Sequence, residues 1–386
     1  MGFLDGTRVL DFTQNLAGPT CTQILAELGA EVVKVEPTDG DSARAWGPPF
    51  SGGDAAIFRA VNHGKRSVTL DLKRADDLTV ARTMLEDADI LVESFRPGVM
   101  DRLGLGAEVV CAAHPRLIYA SISAYGERGP LGSEPGFDAL MQAHAGLVSV
   151  TGHPGAPVRS GASIVDTATA LWTVIGILAA LRQRERTGRG THLRAALFEA
   201  GLAYSAYYIA GFLADGKVPG PQGNTFPLIA PYGEFPTADG RIVIAPASDR
   251  LFGRLCTALG LESVAADPRF ATNPDRVAAR EEVRRIVSRK TAALSTADLM
   301  GVLREEGIPC APVLDMSEVC EDPQTVASRA LVGDRVLPPL TWNGDRASEA
   351  GDVPALGEHT DAARAGAAWA PPGDGEQKDE GADGDQ

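Results

Sequence analysis

Asp166 stands between a small turn, Ser160-Gly161-Ala162, and the apolar run ATALWTVIGILAAL that begins at Ala168. A carboxylate in that place has two readings. As a helix N-cap it accepts amide hydrogen bonds and complements the helix dipole. As a carboxylate in dry surroundings it can attack an acyl group. The residues leave both open, and one oxygen cannot serve both at once. Cations form a second grouping beside expected turns: Lys65-Arg66, Lys73-Arg74, then Arg96 and Arg102 around Pro97-Gly98. At the carboxyl ends of parallel strands they would hold a phosphorylated ligand; the alternative is an ordinary solvated face.

Other chemistries find less support. The six histidines are scattered, and none pairs with Cys or an acid at metal-ligand spacing, so no metal site is expected. The first strand-to-helix turn reads TQNLAGPT, without the G-x-G-x-x-G of a dinucleotide site, although Glu36 falls where a ribose-binding acid would. Pro19 also occupies a place where helix amides should cradle a diphosphate. G-x-x-x-x-G-K-[ST], H-E-x-x-H and G-x-S-x-G are all absent.

The elements that must position these residues alternate. Arg8–Phe12 reads as a strand, Pro19–Leu28 as a helix ended by Gly29, and EVVKVE (Glu31–Glu36) as a strand with period-2 alternation. Ser67–Leu72, Ile90–Glu93 and Leu117–Ser121 follow as strands, with a helix over Ala75–Ala88. Such repetition predicts a parallel sheet covered by helices. A long buried helix is expected from Asp166 to about Arg186, and another near Leu197–Ala214. Residues 216–231, with seven Pro and Gly positions, read as a linker. Tyr232–Ala245 reads as a hairpin turning at Asp239-Gly240, followed by helices near Asp249–Gly260, Asp275–Leu294 and Thr296–Glu306. The expected division is a large α/β domain (1–215), a small α+β domain (232–325), a returning segment (326–370) and a disordered tail (371–386).

Composition bounds the rest. The chain has 386 residues, 44% of them hydrophobic, enough for at least one substantial core. Its net charge of −15 argues against nucleic acid or an anionic membrane as a partner. Five cysteines without a C-x-x-C pair point to reduced thiols and a cytoplasmic protein. The start lacks a basic and apolar leader, and no run reaches about 18 uninterrupted apolar residues, so neither secretion nor membrane spanning is expected.

These residues together resemble the family III CoA transferases, the group of formyl-CoA, carnitine and succinyl-CoA-dependent transferases that also holds α-methylacyl-CoA racemase. The matching blocks are LDGTRVLDFTQNLAGPTCTQILAELGAEVVKVE (Leu4–Glu36), NHGKRSVTLDLK (Asn62–Lys73), ADILVESFRPGVMDRLGL (Ala88–Leu105) and IYASISAYGERGP (Ile118–Pro130). GASIVD with its apolar helix, RTGRGTHL, EEGIPCAPV (Glu305–Val313) and LGEHTD (Leu356–Asp361) complete the set. The resemblance implies a Rossmann-like parallel-sheet domain, a smaller α+β domain and an interlocked homodimer. It implies coenzyme A or acyl-CoA as substrate, a carboxylic acid as second substrate, and no permanently bound cofactor. By position, Leu16, Ala17, Leu70, Asp71, Leu72 and Lys73 would border the nucleotide. Ser94, Phe95, Arg96 and Arg102 would hold adenine and phosphates. Asp166 falls on the family's catalytic aspartate, whose attack on the donor thioester gives an aspartyl mixed anhydride and then an aspartyl–CoA thioester.

Two departures narrow the activity. Racemases of this group carry a G-H-D triplet, and here it is Gly136-Phe137-Asp138. Phenylalanine cannot exchange a proton, and a helix puts His144 about two turns away, so transfer is favoured over racemisation. The mobile glycine run of oxalate-accepting formyl-CoA transferases has no counterpart; Gly220–Pro227 is the nearest segment. Phe137 and Asp138 remain substrate candidates. Gln14 could contact the acyl group or simply close its own turn. The rival readings are a racemase on the same fold and a CoA-binding protein without catalysis.

Overall fold

The computed structural model describes residues 2–342, 345–346 and 351–370; the acidic tail expected over 371–386 lies outside them. The chain forms two compact units. The first holds the described residues of Met1–Gly146, Gly161–Tyr207 and Ala330–Gln386; the second holds Leu147–Ser160 and Tyr208–Arg329.

Six parallel strands build the first unit: β1 (Arg8–Phe12), β2 (Glu31–Glu36), β3 (Lys65–Thr69), β4 (Ile90–Glu93), β5 (Ile118–Ser123) and β6 (His192–Ala196). Their order is β6-β5-β4-β1-β2-β3. The order reverses between β1 and β4, which pair from Val9↔Ile90 to Phe12↔Glu93. In sheets wound this way, ligands bind outside the carboxyl ends of the strands where the order reverses. The loops after β1 and β4 therefore frame the place to look.

Helices cover both faces. Helix α1 (Ala17–Glu27) packs on β1, β2 and β4. On the other face Leu10, Phe12, Val33, Val68, Leu91 and Tyr119 form one core with Ala81, Met84 and Leu85 of α2 (Ala75–Glu86). Residues 357–369 close this layer: His359 donates its amide to the Ser67 carbonyl at 2.9 Å, and Trp369 donates its indole N–H to the Met84 carbonyl at 3.2 Å.

Three expectations change in this unit. The period-2 reading of EVVKVE implied alternate exposure, but Val32–Glu36 are all buried, since helices lie on both sides of β2. Lys34 and Glu36 enter an internal ion network instead of water. The long apolar helix, α4, follows α3 (Asp138–His144) and runs from Ile164 to Thr187, but it is not wholly buried. Val165, Ala168, Thr173 and Ile177 face α1 and the sheet, whereas Leu171, Trp172, Ile175 and Leu178 are exposed. It is long and apolar enough to cross a membrane by length and composition, yet one face is committed to this unit. The single helix expected over Leu197–Ala214 is two, α5 (Leu197–Tyr204) and α6 (Ala206–Asp215). Between them buried Ser205 donates its hydroxyl to the Ala145 carbonyl at 2.9 Å.

The second unit is α+β. Strands β7 (Gly233–Pro236), β8 (Arg241–Ile244) and β9 (Cys310–Pro312) make an antiparallel sheet in that order. Its core joins Phe235, Ile242 and Ile244 to Phe252, Leu255, Val283, Leu299 and Leu303. The helix expected over Asp275–Leu294 is interrupted, giving Asn273–Ala278 and Arg280–Thr291. Fully buried Arg276 bonds the Ala230 and Phe270 carbonyls at 2.8 and 2.9 Å, and Arg280 takes those of Phe226 and Pro227. The proline-rich segment is thus pinned by two arginines.

Candidate active site

The loop after β1 rests on buried ions. Asp11 accepts the Thr13 amide at 2.8 Å, the Thr13 and Thr22 hydroxyls at 2.6 and 2.5 Å, and the Lys65 ammonium at 3.3 Å. Lys34 donates to the Thr13 carbonyl at 2.7 Å and pairs with Asp41 at 2.9 Å. Asp41 in turn accepts the Asn15 amide at 3.1 Å, and Asn15 adopts φ 69°. Glu36 binds Arg44 at 2.8 Å and the Ser67 hydroxyl at 2.7 Å. Burial alone would push the Asp11 carboxyl up, but Lys65, Lys34 and the two threonines hold it below its usual range. The same contest, won by Arg44 and Lys34, lowers Glu36. Burial carries Lys65 down to about 8, with Asp11 opposing. Glu36 spends its oxygens inside the protein, which removes the ribose-binding role a dinucleotide site would need.

Around this base the residues expected to border CoA gather at one edge. Gln14 donates its amide to the Ser94 hydroxyl at 3.2 Å, which ties the β1 and β4 loops together. Leu16 is half-buried and buried Ala17 opens α1. After β3, Leu70 is buried, Asp71 donates its amide to Asp77 at 2.9 Å, and Lys73 donates its own to Asp71 at 3.1 Å. Leu72 and Phe95 are half-buried and pack on the α2-side core. Lys73, Arg96 and Arg102 are exposed, and among the described residues none of the three forms an ion pair. Lys65 and Arg66 do not join them: Lys65 is buried, and Arg66 bonds the Ala368 carbonyl at 2.6 Å. Beside Phe95 and Arg96 a cavity of about 680 Å³ opens over β4, β5 and β6, reaching Tyr119, His192 and Arg194.

Asp166 reaches the same edge by topology. Helix α4 leads into the amino end of β6, so its own start lies toward the carboxyl ends of the strands, beside the start of α1, against which it packs. The N-cap reading of Asp166 does not hold. The helix begins at Ile164, and its amides are capped by Asp138 of α3, which accepts Val165 N–H at 2.8 Å and Asp166 N–H at 3.3 Å. Asp138 is buried, and its second oxygen accepts the Gln142 amide at 2.5 Å. Among the described residues the half-buried Asp166 carboxylate makes no hydrogen bond or ion pair. Burial, then the charge of Asp138, push its pKa up to about 7.

Phe137 is exposed and meets Trp46 edge to face, ring centroids 6.5 Å apart. His144 bonds the Tyr125 hydroxyl at 3.1 Å, and its ring lies tilted against Phe198, centroids 5.1 Å apart. Sequence reasoning passed over Asp41, Trp46 and Gln142. For Gln142 a signal existed: it lies four residues after Asp138 on one helix face, a spacing at which Gln and Asp bond.

A sequence profile of CoA-transferase family III matches residues 4–360. The chain belongs to CoA-transferase family III. It is 39% identical over 334 residues to acetyl-CoA:oxalate CoA-transferase of Acetobacter aceti, covering 86% of each chain. It is also 39% identical over 332 residues to succinate–glutarate CoA-transferase of Agrobacterium fabrum, covering 84% of this chain and 83% of the relative. A crystal structure of a CaiB/BaiF family protein from Brucella suis superposes with a TM-score of 0.85 at 37% identity, over 95% of this chain and 99% of that one. This family III CoA-transferase thus carries its buried ions, its free surface cations and an uncapped carboxylate in one unit.

Proposed function

We propose that the enzyme moves CoA from an acyl-CoA to a free carboxylic acid through covalent intermediates on Asp166. The observation that carries this is the uncapped Asp166 carboxylate at the head of an apolar helix whose amides another residue has taken. Transfer between two acids is nearly isoenergetic, so the intermediates must themselves be activated carboxyls. Asp166 attacks the thioester carbonyl; the C–S bond breaks, leaving an aspartyl–acyl anhydride and CoA thiolate. The thiolate attacks the aspartyl carbonyl, forming aspartyl–CoA thioester and releasing the donor acid. The acceptor carboxylate attacks that thioester and the thiolate then attacks the acceptor acyl carbon, which frees acyl-CoA and restores Asp166. Serine or cysteine would be acylated but would offer CoA no carboxyl to occupy.

Burial serves this chemistry twice. It keeps water from an anhydride, and it raises the energy of the ionised carboxylate, which acylation relieves. Leu16, Ala17, Leu70, Asp71, Leu72 and Lys73 line the nucleotide; Ser94, Phe95, Arg96 and Arg102 hold adenine and phosphates, the exposed cations supplying charge. Gln14, fixed at the β1–β4 junction, and Phe137 face the acyl group. Phe137 supplies no proton, which disfavours racemisation. The enzyme is a cytoplasmic homodimer with five free thiols. A second copy covers the apolar stripe of Leu171, Trp172, Ile175 and Leu178. The two relatives above are named for acetyl-CoA with oxalate and for succinate with glutarate, so acetyl-CoA, these three dicarboxylic acids and their CoA thioesters come first in the substrate screen.

The test is trapping. With an acyl-CoA donor present, hydroxylamine should convert Asp166 to a hydroxamate, seen as a mass change on its peptide. Turnover with no label at Asp166 overturns the assignment.

A further inference from the structure

We propose that Asp138, seated by Gln142, is the positioning residue of the nucleophile: by capping α4 from the neighbouring helix it leaves the Asp166 carboxylate free for substrate. The inference rests on Asp166 being the nucleophile. A side chain in the first turn of a helix ordinarily finds amide donors within reach, and a carboxylate so bonded is a poorer nucleophile. Here Asp138 Oδ1 takes the amides of both Val165 and Asp166, while Oδ2 is held by Gln142. Gln142 also reaches the Ala162 carbonyl at 3.4 Å, so one side chain links the capping residue to the turn that launches the helix. Fixing the Asp166 amide fixes the origin of its side chain.

The same contact acts through charge. The titratable or charged groups on elements packed against α4 are Asp138 and His144 on α3, Cys21 and Glu27 on α1, and Glu199 and Tyr204 on α5. Strands β5 and β6 add Tyr119, His192 and Arg194. After burial, the charge that raises the proton affinity of Asp166 is that of Asp138. A more basic carboxylate is the stronger nucleophile toward a thioester.

Asp138→Asn separates the two effects, because its carbonyl oxygen still accepts the helix amides while the charge is gone, and Gln142 can turn its own carbonyl toward the new amide. The expected variant melts within a few degrees of wild type. The acid limb of its kcat/KM profile moves down by about one pH unit, and kcat falls about tenfold with KM for acyl-CoA nearly unchanged. Asp138→Ala, which also loses the cap, should lower kcat by about a hundredfold or more. If Asp138→Ala does not fold, Asp138→Asn alone decides. Should hydroxylamine label Asp166 in wild type while Asp138→Asn keeps both its limb and its kcat, the positioning role falls and the nucleophile stands. Should Asp166 never be labelled during turnover, both fall.

Discussion

Two of the places where the first unit buries carboxylates treat them oppositely. Beneath the β1 loop, Asp11, Glu36 and Asp41 are each matched by Lys34, Lys65 or Arg44. At the head of α4, Asp166 faces a second carboxylate, Asp138, whose own oxygens are spent on amides. Where burial is offset by cations, carboxyl pKa values fall, as at Asp11 and Glu36; where it is not, that of Asp166 climbs to about 7. Here matched charge serves the scaffold, and unmatched charge is what the proposed chemistry would use, since acylation relieves a carboxylate held ionised at a cost.

The largest effect that could break this contrast is at the proposed nucleophile. Asp166→Asn should lower transfer by about 10³-fold or more while CoA affinity stays within a few-fold. The same change should stabilise the fold. Asp166 has a folded pKa above its unfolded value of 3.8, so its stability contribution is intact below about pH 4 and lost as pH rises through about 7. The variant should therefore melt higher than wild type at about pH 8, by about 1–4 °C, and no higher near pH 4. A variant less stable than wild type at pH 8 would mean that Asp166 is a structural cap after all.

Next comes the opposite region. Lys34→Met leaves Asp11, Asp41 and Glu36 short of a cation in a site closed to water, and should destabilise by about 3–5 kcal/mol in urea melts. Its sign is the reverse of that at Asp166. A variant as stable as wild type would show the network to be ornamental.

The two regions should also part with pH. The proposed attack needs ionised Asp166, so kcat/KM should fall about tenfold for each pH unit below 7. Asp11 and Glu36, with folded values below 3.8 and 4.5, give stability that is present above those unfolded values and lost only as pH falls through the lower folded ones. At about pH 5.5 the enzyme should be nearly inactive, folded by circular dichroism, and fully recovered on return to pH 8.

How much of this was legible varies with the distance over which contacts form. Strand-helix alternation from Arg8 to Ser123 is a local pattern, and the parallel sheet follows it. The weight on Asp166 came from a turn followed by an apolar run, again local, together with the family resemblance. What escaped was set by contacts far apart in sequence. Asp138 caps amides 27 and 28 positions away, Lys65 meets Asp11 across 54, and nothing in EVVKVE says that its lysine turns inward. The exposed stripe of α4 was hidden for a related reason: apolar composition reports that a surface is to be covered, not what covers it.

The smallest effect concerns the cations, which divide as the carboxylates do. Lys34 and Lys65 are consumed by buried acids, whereas Lys73, Arg96 and Arg102 point into water at the carboxyl edge without an ion pair among the described residues. An exposed arginine on a phosphate is screened by salt, so one such contact is worth little more than a factor of ten. Arg102→Ala should weaken CoA binding about three- to tenfold at low ionic strength and less at high salt, with kcat retained. Arg66→Ala makes the same change in net charge, but Arg66 lies at the amino end of β3, bonded to the Ala368 carbonyl, and should leave CoA affinity unchanged. Equal losses for the two variants in calorimetric titrations would mean that overall charge, and not an arginine placed at the edge, attracts the nucleotide. An unchanged Kd for Arg102→Ala would remove Arg102 from the phosphate site.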